Sequence, residues 1–206
     1  MQAIKYSLVY LVFIYSLAYA VSAHSANNSI YITQSGGSTA LTMNIDQIGN
    51  SNVVGTTGAR VSLTGTTMTV DIDQIGDSNV IAATVAQGNS NSFTLSSTGD
   101  SNTQTLALGA TGDVAGSDFD FAAVGDSNVL TYTAGAAATA TSGNTEIVIA
   151  GTSNNLNLVT EVVGATNNWD VDGDSNDIDT TQTGNANHSI TADITGNTNN
   201  IDIDQT

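Results

Sequence analysis

The sequence contains no cysteine and no proline, and only two of its 206 residues are basic, against 19 acidic residues. The absence of cysteine excludes disulfides, thiolate metal sites and a cysteine nucleophile. Without clustered Lys and Arg, the chain cannot bind nucleic acid by displacing counterions from phosphates. The absence of proline leaves every backbone N–H able to join a β-ladder. These absences favour a β-rich protein that does not bind nucleic acid.

The first 23 residues have the organisation of a secretory signal peptide. Lys5 supplies the positive start, residues 7–18 are apolar, and Val-Ser-Ala at 21–23 offers small residues at the cleavage position. The apolar run is short for a bilayer span of about 20 residues, and no later segment is apolar enough to cross a membrane. We therefore predict a signal peptide at 1–23 and an exported chain that begins near His24.

A four-residue pattern, Gly-x-x-Asn, recurs through the rest of the chain. Successive copies are separated by 9 to 13 residues or by 26 or 27 residues, so the underlying unit has about 12 residues. The repeat fills residues 24–206 without a linker, which predicts one repetitive domain. Glycine at a fixed place in each unit suits a tight turn. The turn glycines are Gly49, Gly76, Gly88, Gly99, Gly125, Gly151, Gly164, Gly173, Gly184 and Gly196.

Between the turns, apolar and polar residues alternate. Leu41, Met43 and Ile45 share one parity, and later segments such as the one at Phe93 and Leu95 follow the same rule. Period two over five to eight residues is typical of strands with one buried face. Two strands and two turns make a coil of about 22–26 residues, and such a coil buries its apolar face only against its neighbours. The predicted fold is an all-β solenoid of cross-β stacked coils.

Stacked coils would place equivalent polar side chains above one another. Amides repeated in this way form ladders, as in cross-β assemblies, and buried amides need such partners. The alternative is that Gly and Asn simply favour exposed turns. The predicted structural ladder contains Asn52, Asn79, Asn91, Asn102, Asn128, Asn154, Asn167, Asn176, Asn187 and Asn199. It also contains Gln34, Gln47, Gln74 and Gln182, each two residues before a glycine, and Gln205 in the last strand.

Three segments resemble the curlin repeat, in which a strand leads into Gln-x-Gly-x-x-Asn and a second strand. They are Ser29-Ile-Tyr-Ile-Thr-Gln-Ser-Gly36, Ile45-Asp-Gln-Ile-Gly-Asn-Ser-Asn52 and Ile72-Asp-Gln-Ile-Gly-Asp-Ser-Asn79. The resemblance extends loosely over residues 29–206, with apparent insertions near 53–66, 109–117 and 134–145. It implies a solenoid with two strands per coil, whose ends add further subunits.

The resemblance also implies a function and partners. Curlin subunits are secreted by Gram-negative bacteria and polymerise at the cell surface into amyloid fibres of the biofilm matrix. We therefore expect a secreted, extracellular fibre subunit, whether major, minor or nucleating, that acts in adhesion. Its expected partners are further copies of itself, a related subunit or nucleator, and an outer-membrane secretion apparatus. No transmembrane segment is expected once residues 1–23 are removed.

Nothing in the sequence indicates catalysis. His24 and His188 have no partner at metal-ligand or triad spacing, and we predict no catalytic, cofactor or metal residue and no required cofactor. Paired carboxylates, such as Asp71 and Asp73, face outward and lack an apolar cleft for acid–base work. Ca²⁺ could bridge such pairs on adjacent coils, or the Asp residues could simply keep the surface soluble.

The alternative function is a secreted β-solenoid binding module, either ice-binding or a Ca²⁺-dependent adhesin. Thr-x-Thr recurs along the chain, for example at Thr67-Met-Thr69 and Thr131-Tyr-Thr133. Regular threonine arrays on a flat solenoid face are a feature of some ice-binding proteins. The threonines of this chain do not recur at one position per coil, so the fibre subunit is the preferred interpretation.

Overall fold

The computed structural model describes residues 18–24, 28–34, 40–55, 61–108, 114–134, 140–141, 143–163, 166–184 and 188–206. Within these ranges the chain forms strands and turns and no helix. None of the described residues therefore belongs to a helix that could span a membrane. The predicted signal peptide lies partly outside the described residues, because residues 1–17 are not among them, while Ala18–His24 form the first strand.

Nineteen strands make up the described chain, and most of them are seven or eight residues long. They are β1 Ala18–His24, β2 Asn28–Ile30, β3 Leu41–Ile48, β4 Ser51–Val54, β5 Val61–Thr64, β6 Met68–Ile75, β7 Ser78–Asn89, β8 Ser92–Thr98, β9 Ser101–Leu108, β10 Val114–Ala115, β11 Asp118–Val124, β12 Ser127–Ala134, β13 Ala140–Thr141, β14 Asn144–Ala150, β15 Ser153–Val163, β16 Thr166–Asp172, β17 Ser175–Thr183, β18 Ser189–Thr195 and β19 Thr198–Gln205.

The alternation in the sequence is the alternation of burial in the strands. In β3 and β6 every second residue is buried, and the residues between them are exposed or partly exposed. A pleated strand sends successive side chains to opposite faces, so the apolar parity fills the interior and Thr, Asn and Asp cover the outside. The predicted interior positions Leu41, Met43 and Ile45 are all buried.

The strands form two sheets in which every pairing between described strands is parallel, and the register is continuous except for a shift between Leu63 and Thr64 in the pairing of β5 with β7. The first sheet has the order β1-β3-β6-β8-β11-β14-β16-β18. The second sheet runs β2-β4-β7-β9-β12-β15-β17-β19, with β5, β10 and β13 attached beside it. The chain passes from one sheet to the other and back, and each passage moves it one strand along the stack. This arrangement is a β-solenoid, which confirms the predicted fold class.

Three coils depart from the regular length in the second sheet. β4 ends at Val54 and β5 begins at Val61, although both pair with β7. The short strands β10 and β13 likewise follow gaps after β9 and β12. The predicted insertions near 53–66, 109–117 and 134–145 include these places, and their central residues, 56–60, 109–113 and 135–139, lie outside the described chain. After each gap the chain pairs again with the same neighbouring strand, β7 for β5 and β10 and β15 for β13.

The middle of the interior is aromatic. The rings of Phe93 and Phe119 stack with centroids 5.5 Å apart, and Tyr132 contacts both Phe119 and Phe121 at 5.7 and 5.5 Å. Burial raises the pKa of the Tyr132 hydroxyl above its ordinary value, and this effect outweighs the lowering of the pKa by the hydrogen bond with Thr145. Stacked and edge-on rings at these distances stabilise a core beyond the apolar area they bury.

Candidate functional site

A column of glycines lies along one corner of the solenoid. We call the connection from the first sheet to the second the first corner, and the return connection the second corner. A Cβ atom at Gly76 would overlap the carbonyl oxygen of Gly49, and one at Gly125 would overlap that of Gly99. The backbones approach too closely for any other residue, so the stack requires glycine here. The Gly column consists of Gly49, Gly76, Gly99, Gly125, Gly151, Gly173 and Gly196.

Three residues after each of these glycines stands an asparagine, which is buried in every coil except the last, where Asn199 is exposed. Each side-chain nitrogen donates to the Oδ1 atom of the asparagine in the next coil, and the N–O distances are 2.8 to 3.0 Å. The partners are 22 to 27 residues apart in sequence, which is one coil. The Asn column consists of Asn52, Asn79, Asn102, Asn128, Asn154, Asn176 and Asn199.

The same side-chain nitrogens also bond to the backbone. Asn79 donates to the carbonyl oxygen of Thr98 at 2.9 Å, and Asn102 donates to that of Val124 at 3.0 Å. Each such carbonyl ends a strand of the first sheet, one coil further along. The Asn column therefore joins each coil to the next at the corner through a side-chain bond and a backbone bond, which satisfies donors that would otherwise be buried without partners.

The predicted glutamines form two pairs, at opposite ends of the stack. Gln74 donates to Oε1 of Gln47 at 2.7 Å in the first sheet, and both are buried. Gln205 donates to Oε1 of Gln182 at 2.7 Å in the second sheet. Gln34 is not next to Gln47 or Gln74, because it lies in the second sheet, where its Oε1 accepts from the Thr64 N–H at 2.9 Å. The expected bond between a Gln and another Gln one coil away is therefore found for Gln47 with Gln74 and for Gln182 with Gln205, whereas Gln34 bonds to the backbone of Thr64.

Asn91 and Asn167 do not continue the Asn column either. Both lie at the second corner, where Asn91 accepts from the Met68 N–H at 2.9 Å and its own N–H donates to Ser117. Asn91 immediately precedes β8, whereas Asn167 is the second residue of β16 and pairs with Thr145 and Ile190. The second corner differs in length from coil to coil. The two asparagines therefore occupy different register positions relative to the strands of the first sheet, and their side chains cannot stack in one column.

Two of the remaining predicted turn residues, Gly88 and Gly184, belong to the second corner. A Cβ atom at Gly88 would overlap the carbonyl oxygen of Gly65, so this glycine is also required by close approach. Gly184 donates its N–H to the carbonyl of Thr206 at 3.1 Å. Gly164 and Asn187 lie outside the described residues. Thr67 and Ser90 have φ angles of 57° and 55°. These two residues therefore adopt the left-handed backbone conformation although neither is a glycine.

A buried polar contact that the sequence did not indicate joins the two sheets. Gln104, in β9, donates to the Ser97 hydroxyl at 3.0 Å and to the carbonyl of Ala122 at 2.9 Å. It lies in a column otherwise filled by Ile81 and Leu130. Its inward parity was visible in the sequence, but its partner lies across the interior and is set by how the sheets face each other.

Carboxylates cluster on the outer face of the first sheet. Burial raises the pKa of the Asp71 carboxyl above its ordinary value, and the Asp73 and Asp46 carboxylates raise it further. The pKa of Asp120 is raised by burial and then by Glu146 and Asp118. Like charges one coil apart therefore oppose stacking at neutral pH.

The described residues bear on the metal site, the histidines and the threonine array considered from the sequence. They contain no group of three or more His, Asp or Glu residues that could hold a metal ion. His188 lies immediately before β18, and His24 is the last residue of β1. Thr105 and Thr131 stack on the outer face of the second sheet, but Asn157 and Asp179 continue their column. The threonines therefore form no continuous array at this position.

The last coil is the open end of the stack. Ile201 and Ile203 face the interior side of β19 but are 45% and 43% exposed. Leu156 and Leu158, two coils earlier in the same two columns, are 1% and 2% exposed. β19 pairs with β17 on one side and with no described strand on the other. Unpaired strand edges of this kind are templates for further strands.

No family model, curated protein or solved structure matches the chain.

Proposed function

We propose that the chain is an exported structural subunit of a curli-like extracellular amyloid fibre, acting in the biofilm matrix or in adhesion. The observation that carries the proposal is the uncovered last coil, in which the Asn column, the apolar columns and the backbone ladder all end without a partner. A further copy would extend all three. The proposed role is structural rather than enzymatic.

The stacking of the coils supports this proposal. Parallel, in-register strands with columns of identical side chains are the interactions that stabilise amyloid, where backbone groups pair along the fibre axis. The coils of one chain already interact in this way, so coils from different chains could use the same contacts. The resemblance of residues 29–36, 45–52 and 72–79 to the curlin repeat points to the same role. The proposed subunit is a major, minor or nucleating component of the fibre.

Electron microscopy of the purified chain beginning at His24 tests the proposal. We expect unbranched fibres that bind thioflavin and seed fresh protein, because each fibre end presents an open coil. A preparation that stays monodisperse for weeks at high salt would contradict the proposal. N-terminal sequencing of the exported protein tests the signal peptide separately, and His24 is the expected first residue.

A further inference from the structure

The two outermost segments of the second sheet, residues 28–34 and 199–205, share a sequence pattern. Residues 28–34 read Asn-Ser-Ile-Tyr-Ile-Thr-Gln, and residues 199–205 read Asn-Asn-Ile-Asp-Ile-Asp-Gln. Both fit the pattern Asn-x-Ile-x-Ile-x-Gln. None of the strands between them has this pattern; β17, for example, has Thr180 in place of the second isoleucine. The two ends of the stack therefore resemble each other more than either resembles its internal neighbours.

The register places these two strings in the same columns. Asn28 pairs with Asn52, and Asn176 pairs with Asn199, so residue 28 is at the head of the column that ends at Asn199. At the other end of the string, Thr33 bridges to Ser62, which pairs with Thr84 in the column that ends at Asp204. Both strings therefore keep the same offset along their whole length, despite the interruption between β4 and β5.

The direction of the amide hydrogen bonds gives the stack a polarity. Throughout the Asn column, the nitrogen of one coil donates to the oxygen of the following coil. At the end of the column, the Asn199 nitrogen has only a 3.4 Å bond to the carbonyl of its own Gly196. An asparagine oxygen placed one coil further on would complete the series.

The charges favour the same partner. In a head-to-tail junction with matched columns, Asp202 would face Tyr31 and Asp204 would face Thr33, and residues 28–34 contain no charged side chain. A tail-to-tail junction would bring the Asp202 and Asp204 carboxylates of two copies together at the exposed edge. Like charges directly opposite each other on neighbouring strands are destabilising. Ile30 and Ile32 pack only partly against the core, so they also have surface left to cover Ile201 and Ile203.

We propose that β19 docks in parallel on residues 28–34 of a second copy, with Asn199 over residue 28, Ile201 over Ile30, Ile203 over Ile32 and Gln205 over Gln34. This inference rests on the proposed fibre function and adds its polarity and register. Both β19 and residues 28–34 belong to the second sheet and lie after the predicted signal peptide at 1–23. The junction therefore does not require β1, most of which would be removed with that peptide. Subunits add head to tail, and each fibre has two different ends.

Disulfide trapping tests the register, because the chain has no cysteine of its own. The matched pair is Tyr31→Cys with Asp202→Cys, which would be neighbours at about 4.8 Å across the junction, within the Cα range of a disulfide. The offset pair is Thr33→Cys with Asp202→Cys, about 8 Å apart and beyond that range. Within one chain the two positions lie at opposite ends of the stack, so any bond joins different copies.

The experiment is carried out on the full chain and on the chain beginning at His24, with micrographs of every sample. We expect the matched pair to convert most of the protein into disulfide-linked oligomers on oxidation, and the offset pair to give no more than the single variants. Fibres without preferential trapping of the matched pair would overturn the register while leaving the fibre function intact. Trapped dimers without fibres would support the junction and contradict the fibre function. Efficient trapping by Asp202→Cys alone would show tail-to-tail contact and overturn the inference.

Discussion

At the scale of single residues, the Asn column and the Gly column depend on each other. Glycine allows consecutive backbones to approach closely at the first corner, and the asparagine three residues later bonds across the gap. The side-chain nitrogen has two protons and uses one along the column and one on the backbone. Substitutions at these positions should therefore cost far more than substitutions at neighbouring exposed positions.

Asn154 and Asn155 provide a matched comparison of a column residue with an exposed one. Asn154→Ala removes donated bonds to Asn176 and to the carbonyl of Asp172, and the bond accepted from Asn128. We expect it to lower the free energy of unfolding by about 2–4 kcal/mol, because buried partners are left unsatisfied. Asn155→Ala removes an exposed bond to Asp177 and should cost less than about 0.5 kcal/mol. Urea unfolding of the monomer measures both, and equal effects would contradict the role of the column.

Gly125→Ala tests the close approach at the corner. The new Cβ would overlap the carbonyl oxygen of Gly99, so the backbones of two coils must separate. We expect a loss of about 2–4 kcal/mol in the free energy of unfolding. Gly143→Ala is the control, because its nearest contact, the Ser117 carbonyl oxygen at 3.1 Å, requires only a small shift. A Gly125→Ala protein as stable as the control would contradict the packing described here.

At the scale of strands, the sequence alone predicted which residues lie inside and how long a coil is. Apolar and polar residues alternate along each strand, and successive side chains point to opposite faces. The alternation therefore predicted which residues of β3 and β6 are buried. The alternation could not decide which residues share a column. Asn91 and Asn167 occur in the same Gly-x-x-Asn string as Asn102, but the variable length of the second corner moves them out of register.

Contacts across the interior were also beyond the sequence pattern. Gln104 bonds to Ser97, seven residues away and in the other sheet. Parity places both side chains inside, but their meeting depends on how the two sheets are offset at the first corner. The pairing of Gln34 with Thr64 depends in the same way on the interruption between β4 and β5. The asparagines of the Asn column are 22 to 27 residues apart in sequence, which is one full coil. This spacing was the signal in the sequence that distinguishes the first corner from the second.

The carboxylates of the first sheet make a prediction about pH. Because the pKa values of Asp71 and Asp120 are raised by folding, the folded chain binds these protons more tightly than the unfolded chain. Their contribution to stability is present below the ordinary pKa of 3.8 and is lost as the pH rises through the raised values. Like-charge repulsion therefore destabilises these strands at neutral pH.

The double variant Asp71→Asn with Asp120→Asn should be more stable than the natural chain at pH 7, and the difference should shrink as the pH falls toward 3. Removal of the charge relieves repulsion within the strands. At position 71 an amide also offers a donor near the Asn44 Oδ1 atom, which is buried without a hydrogen-bond partner in the described structure. Urea unfolding at several pH values measures the difference. A gap that is constant with pH would show that repulsion is not the cause.

At the scale of the whole molecule, the solenoid has an acidic and open C-terminal end. The exposed isoleucines of β19 and the missing ladder partner make this end the place where a further copy gains most contact. The mid-stack outer face also carries exposed apolar residues, such as Ile75 and Val124, so the location of growth can be tested by comparing the two places.

Ile203→Lys and Ile75→Lys are the matched variants for this comparison. Ile203 is 43% exposed at the end of the stack, and Ile75 is 54% exposed on its side. The lysine at 203 would put a charge on the surface that a second copy must bury, so we expect at least a tenfold loss of seeded elongation rate, roughly 1.4 kcal/mol. Ile75→Lys should elongate at the natural rate. Equal loss in both variants would indicate lateral association instead.

Mass per unit length of the fibres, measured by scanning transmission electron microscopy, tests the central claim most directly. If each chain contributes the eight successive strands from β2 to β19 along the second sheet at about 4.8 Å per strand, one copy advances a fibre by about 38 Å. A flat arrangement, in which every chain lies in a single layer, advances by about 4.8 Å per copy. The solenoid account predicts one chain per 38 Å or so of a single filament. One chain per strand spacing would contradict it.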